Sequence, residues 1–359
     1  RADDYELYLA EQGHTGMEYA TGMCHNDFIA RPWHLPEHCH PINWAVREMS
    51  RTIHRRNTEK PGFWYLSFSA PHPPLTPLKE YLDLYRDVEI DRPTEGNWSS
   101  DPDALPYALQ YRNNGLSALI GAPWHEQALA RRAFYATLTH IDHQIRLLIG
   151  LLREQNMLDN TLILFTSDHG HMIGEHGLWC MTPLYEMSAK IPLIICPPQG
   201  DTRLPVGTVD DRIAEFGDIM PTLLDLCGIP LPDTVEGQSL AGEERRDYLY
   251  GEHFEDELGM RMIRSGRFKL IYYATGNRLQ LFDIDNDPRE TTDLAGDGQY
   301  ADELARLKSL LVQNLYGTDE AWIRDGKLVG LPEKRIFPGE KRSMIDQRGL
   351  MNQRGLRFL

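Results

Sequence analysis

Thr161-Leu162-Ile163-Leu164-Phe165-Thr166-Ser167-Asp168-His169-Gly170 is the stretch that decides the fold class. Branched and apolar residues run without a break and then stop at Asp168-His169-Gly170. Such a run fits a strand covered on both faces. Upstream, a helix is expected from about Glu126 to Glu154. Phe134, Leu138, Ile141, Ile145, Leu148 and Leu152 recur there at helical spacing, as a core-facing stripe. Asp159-Asn160 makes the turn between them. An earlier aromatic and apolar run, Phe63–Ser69, follows Pro61-Gly62 and reads as another buried strand. Strand, long helix, strand is the pattern of an α/β fold with a mostly parallel sheet sandwiched by helices.

Further helices are expected at Asn43–Arg56, Leu78–Tyr85 and Pro221–Cys227, and a further buried strand at Pro192–Cys196. Residues 1–40 and 91–123 read as mostly loop. After about Leu240 the texture changes to short strands, Tyr248–Glu252, Arg261–Arg264, Lys269–Tyr273 and Gln280–Ile284, with a helix at Asp302–Tyr316. This predicts a small antiparallel C-terminal subdomain. The division is therefore 1–240, 241–325 and an extended basic tail, 326–359. The tail repeats Gln-Arg-Gly-Leu at 347–350 and 353–356, a period too short for a repeat fold.

The 359 residues carry a formal charge of −16. A chain this acidic is a poor generic ligand for nucleic acid or an anionic membrane, so neither is expected as a partner. No apolar run approaches the length of a membrane span. The five cysteines are scattered, with no Cys-x-x-Cys pair, which argues against a disulfide framework. The first residue is Arg1 and no signal-peptide core is present, so localisation is not readable from the N-terminus.

Ligands in open α/β sheets gather beyond the carboxyl ends of strands. Asp168 and His169 stand at such an exit, and a carboxylate beside an imidazole can hold a divalent cation. Gly170 lets the backbone turn beside them. His171 and His176 follow in the same Gly- and His-rich loop. As ligands, substrate contacts or residues behind the ligands, they stay open. His72, framed by prolines after Phe63–Ser69, suits protonation of a leaving oxygen or contact with an oxyanion. His140 and His143 share a helix face and are read as packing. Cys24-His25, His34 and His38-Cys39-His40 lack the paired spacing of a zinc site and are read as loop residues.

Taken together, the ordered blocks resemble the sulfatases of the alkaline phosphatase superfamily. The blocks are Ala70-Pro71-His72-Pro73, then the helix with Tyr135, His140, Asp142 and Ile145 followed by Thr166–Gly170 and Gly174–Trp179. Tyr185-Glu186 with Lys190–Ile194, Asp218–Ile229 with Glu236–Leu240, and Leu281–Asp283 with Asp287–Glu290 complete the set. The resemblance implies hydrolysis of a small-molecule sulfate ester. Asp168 and His169 would be ligands of a divalent metal, calcium first and manganese as the alternative, and His72 would contact the sulfate or the leaving oxygen. Close relatives hydrolyse phosphonate or phosphate esters with the same parts.

Two departures stand out. The family's nucleophile is a formylglycine made in a Cys/Ser-x-Pro-x-Arg motif, and no such motif occurs in the 359 residues. Cys196-Pro197-Pro198-Gln199-Gly200 has Gly where Arg belongs and lies after the Asp-His block, so it is rejected. Residue 1 resembles the middle of a sulfatase, and the expectation is a chain that needs a separate N-terminal segment or a homo-oligomer. Met181 stands where the family usually has a lysine. A catalytically inactive, sulfatase-like chain that only binds is the remaining alternative.

Overall fold

A computed structural model describes residues 3–23, 28–116, 119–181 and 183–336. In chain order the helices are α1 (Asp4–Glu11), α2 (Pro41–His54), α3 (Lys79–Leu84), α4 (Tyr107–Leu116), α5 (Trp124–Glu154), α6 (Glu186–Ala189), α7 (Ile219–Leu226) and α8 (Ala301–Asn314). The strands are β1 (Ile163–Thr166), β2 (Met172–Ile173), β3 (Trp179–Cys180), β4 (Leu193–Cys196), β5 (Tyr248–His253), β6 (Met260–Ser265), β7 (Phe268–Tyr273), β8 (Arg278–Asp283), β9 (Ile323–Arg324) and β10 (Lys327–Leu328). The described residues form two compact units, one of residues up to 93 with 114–158, the other of 94–113 with 159–336. The boundary drawn at residue 240 falls inside the second unit. The Gln-Arg-Gly-Leu repeats of the tail lie outside the described residues.

In the first unit, α2 and α3 pack on the long helix α5. The face that α5 buries differs from the expected stripe. Ala130, Ala133, Ala136, Thr137, His140, Ile141 and Gln144 are buried, while Leu138 is 43% exposed. Small side chains let the neighbouring helices approach closely, so shape outweighs apolar size along this face. Helix α1 lies where loop was expected. Its start carries a capping box, in which Asp3 accepts from the Glu6 N–H and Glu6 accepts from the Asp3 N–H.

Two histidines sit in this core. His40 caps α2, its Nδ1 accepting from the Ile42 N–H, and its Nε2 donates to the Thr76 carbonyl at 3.1 Å. That bonding needs a neutral ring, and burial pulls His40 down to about 4. His140 stacks on Tyr81 with ring centroids 4.6 Å apart and meets His40 edge-on at 4.8 Å. Burial, then the charges of His40 and His143, pull it down to about 3. Packing is thus the role of His140, as the spacing implied.

The second unit starts with β1, which pairs antiparallel with β4 from Ile163 opposite Cys196 to Thr166 opposite Leu193. The mostly parallel sheet expected from the sequence is not formed among the described residues. Parallel neighbours are usually joined by a crossover helix, and among the described residues the α-helix in the stretch 167–192 is the one-turn α6. Phe63–Ser69 carries no ladder, and Phe63 and Tyr65 are 80% and 79% exposed. The stretch 91–123, expected as loop, holds α4.

The expected antiparallel subdomain is present as the meander β5-β6-β7-β8. Ser265 pairs with Phe268 across a two-residue turn, and Gly266 takes φ +56°, which glycine adopts at no steric cost. Strand alternation sends Leu270 and Tyr272 toward Leu307 and Leu311 of α8. Ile271 and Tyr273 go to the opposite face, with Leu109, Met172, Leu178 and Tyr185. Lys269 is fully buried between two carboxylates, 3.0 Å from Glu186 and 2.8 Å from Glu290, and Arg264 adds a second cation 3.4 Å from Glu186. Glu290 also accepts the Glu186 N–H at 2.7 Å, at the start of α6. The next residues of α6 then meet β1's exit. The Gly170 N–H donates to the Ser188 carbonyl at 2.8 Å, and a β-carbon at Gly170 would lie 2.2 Å from the Met187 carbonyl oxygen.

These contacts generate two predictions. His40 and His140 titrate near 6.5 when unfolded but near 4 and 3 when folded. The unfolded state then binds more protons between those limits, so stability falls as pH drops below about 6.5. Replacing His140 by Phe removes one such proton, flattening the stability–pH slope between pH 5 and 6.5 by about 1.4 kcal/mol per pH unit. Denaturant melts across that range measure it, and an unchanged slope refutes the assignment. Gly170→Ala forces the α6 backbone away and costs about 1–3 kcal/mol, read as a lower melting temperature.

Candidate functional site

β1 delivers Ser167, Asp168 and His169 at its carboxyl end. Asp168 is exposed, and its Oδ1 accepts the His169 N–H at 2.9 Å. The His169 Nδ1 lies 3.0 Å from the Gly170 carbonyl, which can only accept, so Nδ1 carries the proton. The other nitrogen, Nε2, sits 3.6 Å from Asp168 Oδ2. A carbonyl fixing one ring nitrogen while the other faces a carboxylate is how metal-ligating histidines are held. Two donors at this spacing can both touch one cation. They make part of a coordination sphere: among the described residues, no group of three or more His, Cys, Asp or Glu is placed to hold a metal ion.

The other sequence-predicted residues separate. His171 is buried, and its ring meets His169 edge-on at 5.3 Å, which places it beside the pair. His176 turns away into the core. It is 2% exposed, its Nε2 donates to the Arg289 carbonyl at 2.9 Å, and its ring lies 4.7 Å from Trp98. His176 is thus held by core packing contacts. The Gly-rich motif hid this, because Gly174 and His176 at positive φ reverse the chain and swing the imidazole inward. Met181 is half-buried, and its carbonyl accepts from Ser188.

His72 belongs to the first unit. It is half-buried, its N–H donates to the Ser69 carbonyl at 3.0 Å, and its Nδ1 lies 2.7 Å from the Pro73 carbonyl. The carbonyl again fixes Nδ1 as the protonated nitrogen. In the same unit, His34 bonds the Met17 carbonyl, and Cys39 is buried. These residues serve folding contacts, while Cys24 and His25 lie outside the described residues. Cys39-His40-Pro41-Ile42-Asn43 also has Cys and Pro at the nucleophile spacing, with Asn in the Arg position and a buried thiol.

One half-buried histidine of the second unit was not found from sequence. His253 ends β5, and its ring lies 3.9 Å from Phe254, whose face carries the Arg112 guanidinium at 4.2 Å. Burial first, then the positive charges of Arg112 and Arg261, pull His253 down to about 4. It is a neutral imidazole at neutral pH. No local pattern marks it.

Comparison with known proteins agrees with this geometry. The sulfatase family model matches residues 5–229, and the C-terminal model of N-sulphoglucosamine sulphohydrolase matches residues 174–316. An arylsulfatase of Clostridium perfringens is 36% identical over 338 residues, 92% of this chain and 69% of its own length. A choline-sulfatase of Rhizobium meliloti is 33% identical over 252 residues, 66% of this chain, and the match spans 47% of that enzyme. A solved phosphonate monoester hydrolase of Agrobacterium radiobacter superposes with a TM-score of 0.73 over 91% of this chain and 73% of its own, at 23% identity. That likeness establishes the α/β, alkaline-phosphatase-like fold. The family model and the arylsulfatase match show that the chain belongs to the sulfatase family of sulfuric ester hydrolases.

Proposed function

We propose that this chain carries the metal-binding and leaving-group side of a sulfate-ester hydrolase of the arylsulfatase type. The single observation behind the reading is the 3.6 Å pairing of Asp168 and His169 at the exit of β1, with Nδ1 of His169 held by a carbonyl. Asp168 and His169 are assigned as ligands of one divalent cation, calcium first and manganese as the alternative. Bound there, the ion supplies Lewis acidity against negative charge on the sulfuryl oxygens. His171 stands behind His169 and limits how its ring can turn.

His72 is assigned to the sulfate or the leaving oxygen. With Nδ1 turned to the Pro73 carbonyl, Nε2 is the nitrogen given that contact. Hydrolysis breaks the bond between sulfur and the ester oxygen, and the alcohol departs with a proton. The 359 residues contain no Cys/Ser-x-Pro-x-Arg, so no residue among them is assigned as the nucleophile. Met181 at the usual lysine position favours a second reading, a sulfatase-like chain that binds without turnover.

The test is hydrolysis of an aryl sulfate and an aryl phosphonate ester side by side. The protein is first stripped with chelator, and calcium or manganese is then restored. Metal-dependent turnover with the sulfate preferred is expected, reduced about 100-fold or more in His72→Ala. Preference for the phosphonate overturns the choice of ester. No turnover with either metal, from protein that unfolds cooperatively, selects the non-catalytic reading.

A further inference from the structure

Lys269 shares a face of β7 with Ile271 and Tyr273, the face that meets Met172, Leu178 and Tyr185. A lysine is almost never fully buried unless it is paired. Lys269 has no exposure, and its Nζ lies 3.0 Å from Glu186 Oε1 and 2.8 Å from Glu290 Oε1. An apolar residue at this place would spare the fold the desolvation of three charges. What the charges add is a fixed position for Glu186.

Glu186 opens α6. Its N–H donates to Glu290 Oε2 at 2.7 Å, and its carboxylate also meets Arg264 at 3.4 Å. Glu290 holds φ +56°, a conformation that a non-glycine residue keeps only where its surroundings impose it. The preceding residue, Tyr185, is anchored to the same sheet, its hydroxyl 2.8 Å from that of Tyr273 and 2.6 Å from Gln280 Oε1. Two successive residues thus tie the start of α6 to the C-terminal sheet. From α6, the Ser188 carbonyl takes the Gly170 N–H at 2.8 Å. The Gly170 carbonyl in turn takes the proton of His169 Nδ1 at 3.0 Å. An unbroken line of contacts therefore runs from the Lys269 ammonium to the imidazole of His169.

We propose that Lys269 is a positioning residue for His169, acting through Glu186, α6 and the backbone of Gly170. It holds the carbonyl that keeps the proton on Nδ1 and leaves Nε2 to face Asp168. Its effect on metal binding rests on the reading of Asp168 and His169 as ligands, whereas its hold on the imidazole does not.

Two variants of the full chain test this. Lys269→Met combined with Glu290→Gln removes one cation and one carboxylate and leaves Glu186 with Arg264, so no buried charge is stranded. Leu307→Ala, in the core on the α8 side of the sheet, loosens the fold on the opposite face. Ring-nitrogen NMR of metal-free protein, above the ordinary imidazole titration range, reads the His169 tautomer. The unaltered protein and Leu307→Ala are expected to keep the proton on Nδ1, and the double variant to give a mixture of tautomers. Calorimetric titration of Ca²⁺ and Mn²⁺ should show affinity lowered at least about tenfold in the double variant and unchanged in Leu307→Ala. A double variant with the unaltered tautomer overturns the proposal. So does a Leu307→Ala protein that changes as much, because a merely structural role moves both alike. If the unaltered protein binds neither ion, the ligand assignment fails and the tautomer alone decides the positioning role. Arg264→Gln, which withdraws the more exposed cation of the same network, replaces a double variant that does not unfold cooperatively. It is expected to move the tautomer in the same direction, and an unmoved tautomer there overturns the proposal too.

Discussion

Lys269 sits with no solvent exposure between Glu186 and Glu290, and much of the second unit depends on that contact. Burying three charges costs several kcal/mol per ion unless each finds partners. Arg264 brings the count to two cations against two carboxylates, and Glu290 further takes the Glu186 N–H. The gain is positional. Lys269 belongs to β7 of the C-terminal sheet, Glu186 begins α6, and α6 presents the Ser188 carbonyl to the Gly170 N–H. A charge on the C-terminal sheet thereby fixes the turn that carries Asp168 and His169. The small subdomain is part of the site's scaffold, which explains why strand β7 is buried on both faces.

How much of this was readable depends on how local the signal is. The apolar run into Asp168-His169-Gly170 and the alternation of β5 to β8 are carried by contiguous residues, and both emerge from the sequence. The rotated face of α5 does not, because alanines and a neutral histidine bury as well as leucines when helices pack closely. α1 was legible in principle from Asp3 and Glu6, whose spacing is a capping box. The antiparallel pairing of β1 with β4 goes with a connection whose α-helix is a single turn, which apolar periodicity does not reveal. The inward direction of His176 was not legible because a positive φ decides it. The surroundings of His253 were invisible, since Arg112 of α4 and Arg261 of β6 reach it only in the fold.

An acidic chain that handles an anionic ester has to confine its positive potential. The charge of −16 is spread over the surface, while cations are locked in pairs: Arg261 with Asp319, Arg246 with Asp218, Lys269 with two glutamates. Among these residues few permanent cations are left for the sulfate. On the proposed reading the burden would fall on a metal held by Asp168 and His169.

The central claim is that Asp168 and His169 share one divalent cation, and calorimetric titration of Ca²⁺ and Mn²⁺ into metal-free protein tests it directly. One saturable site is predicted, weakened about 100-fold or more in both Asp168→Asn and His169→Ala, since removing a ligand should cost at least as much as removing its supporting partner. Equal affinity in the unaltered protein and both variants would contradict the account.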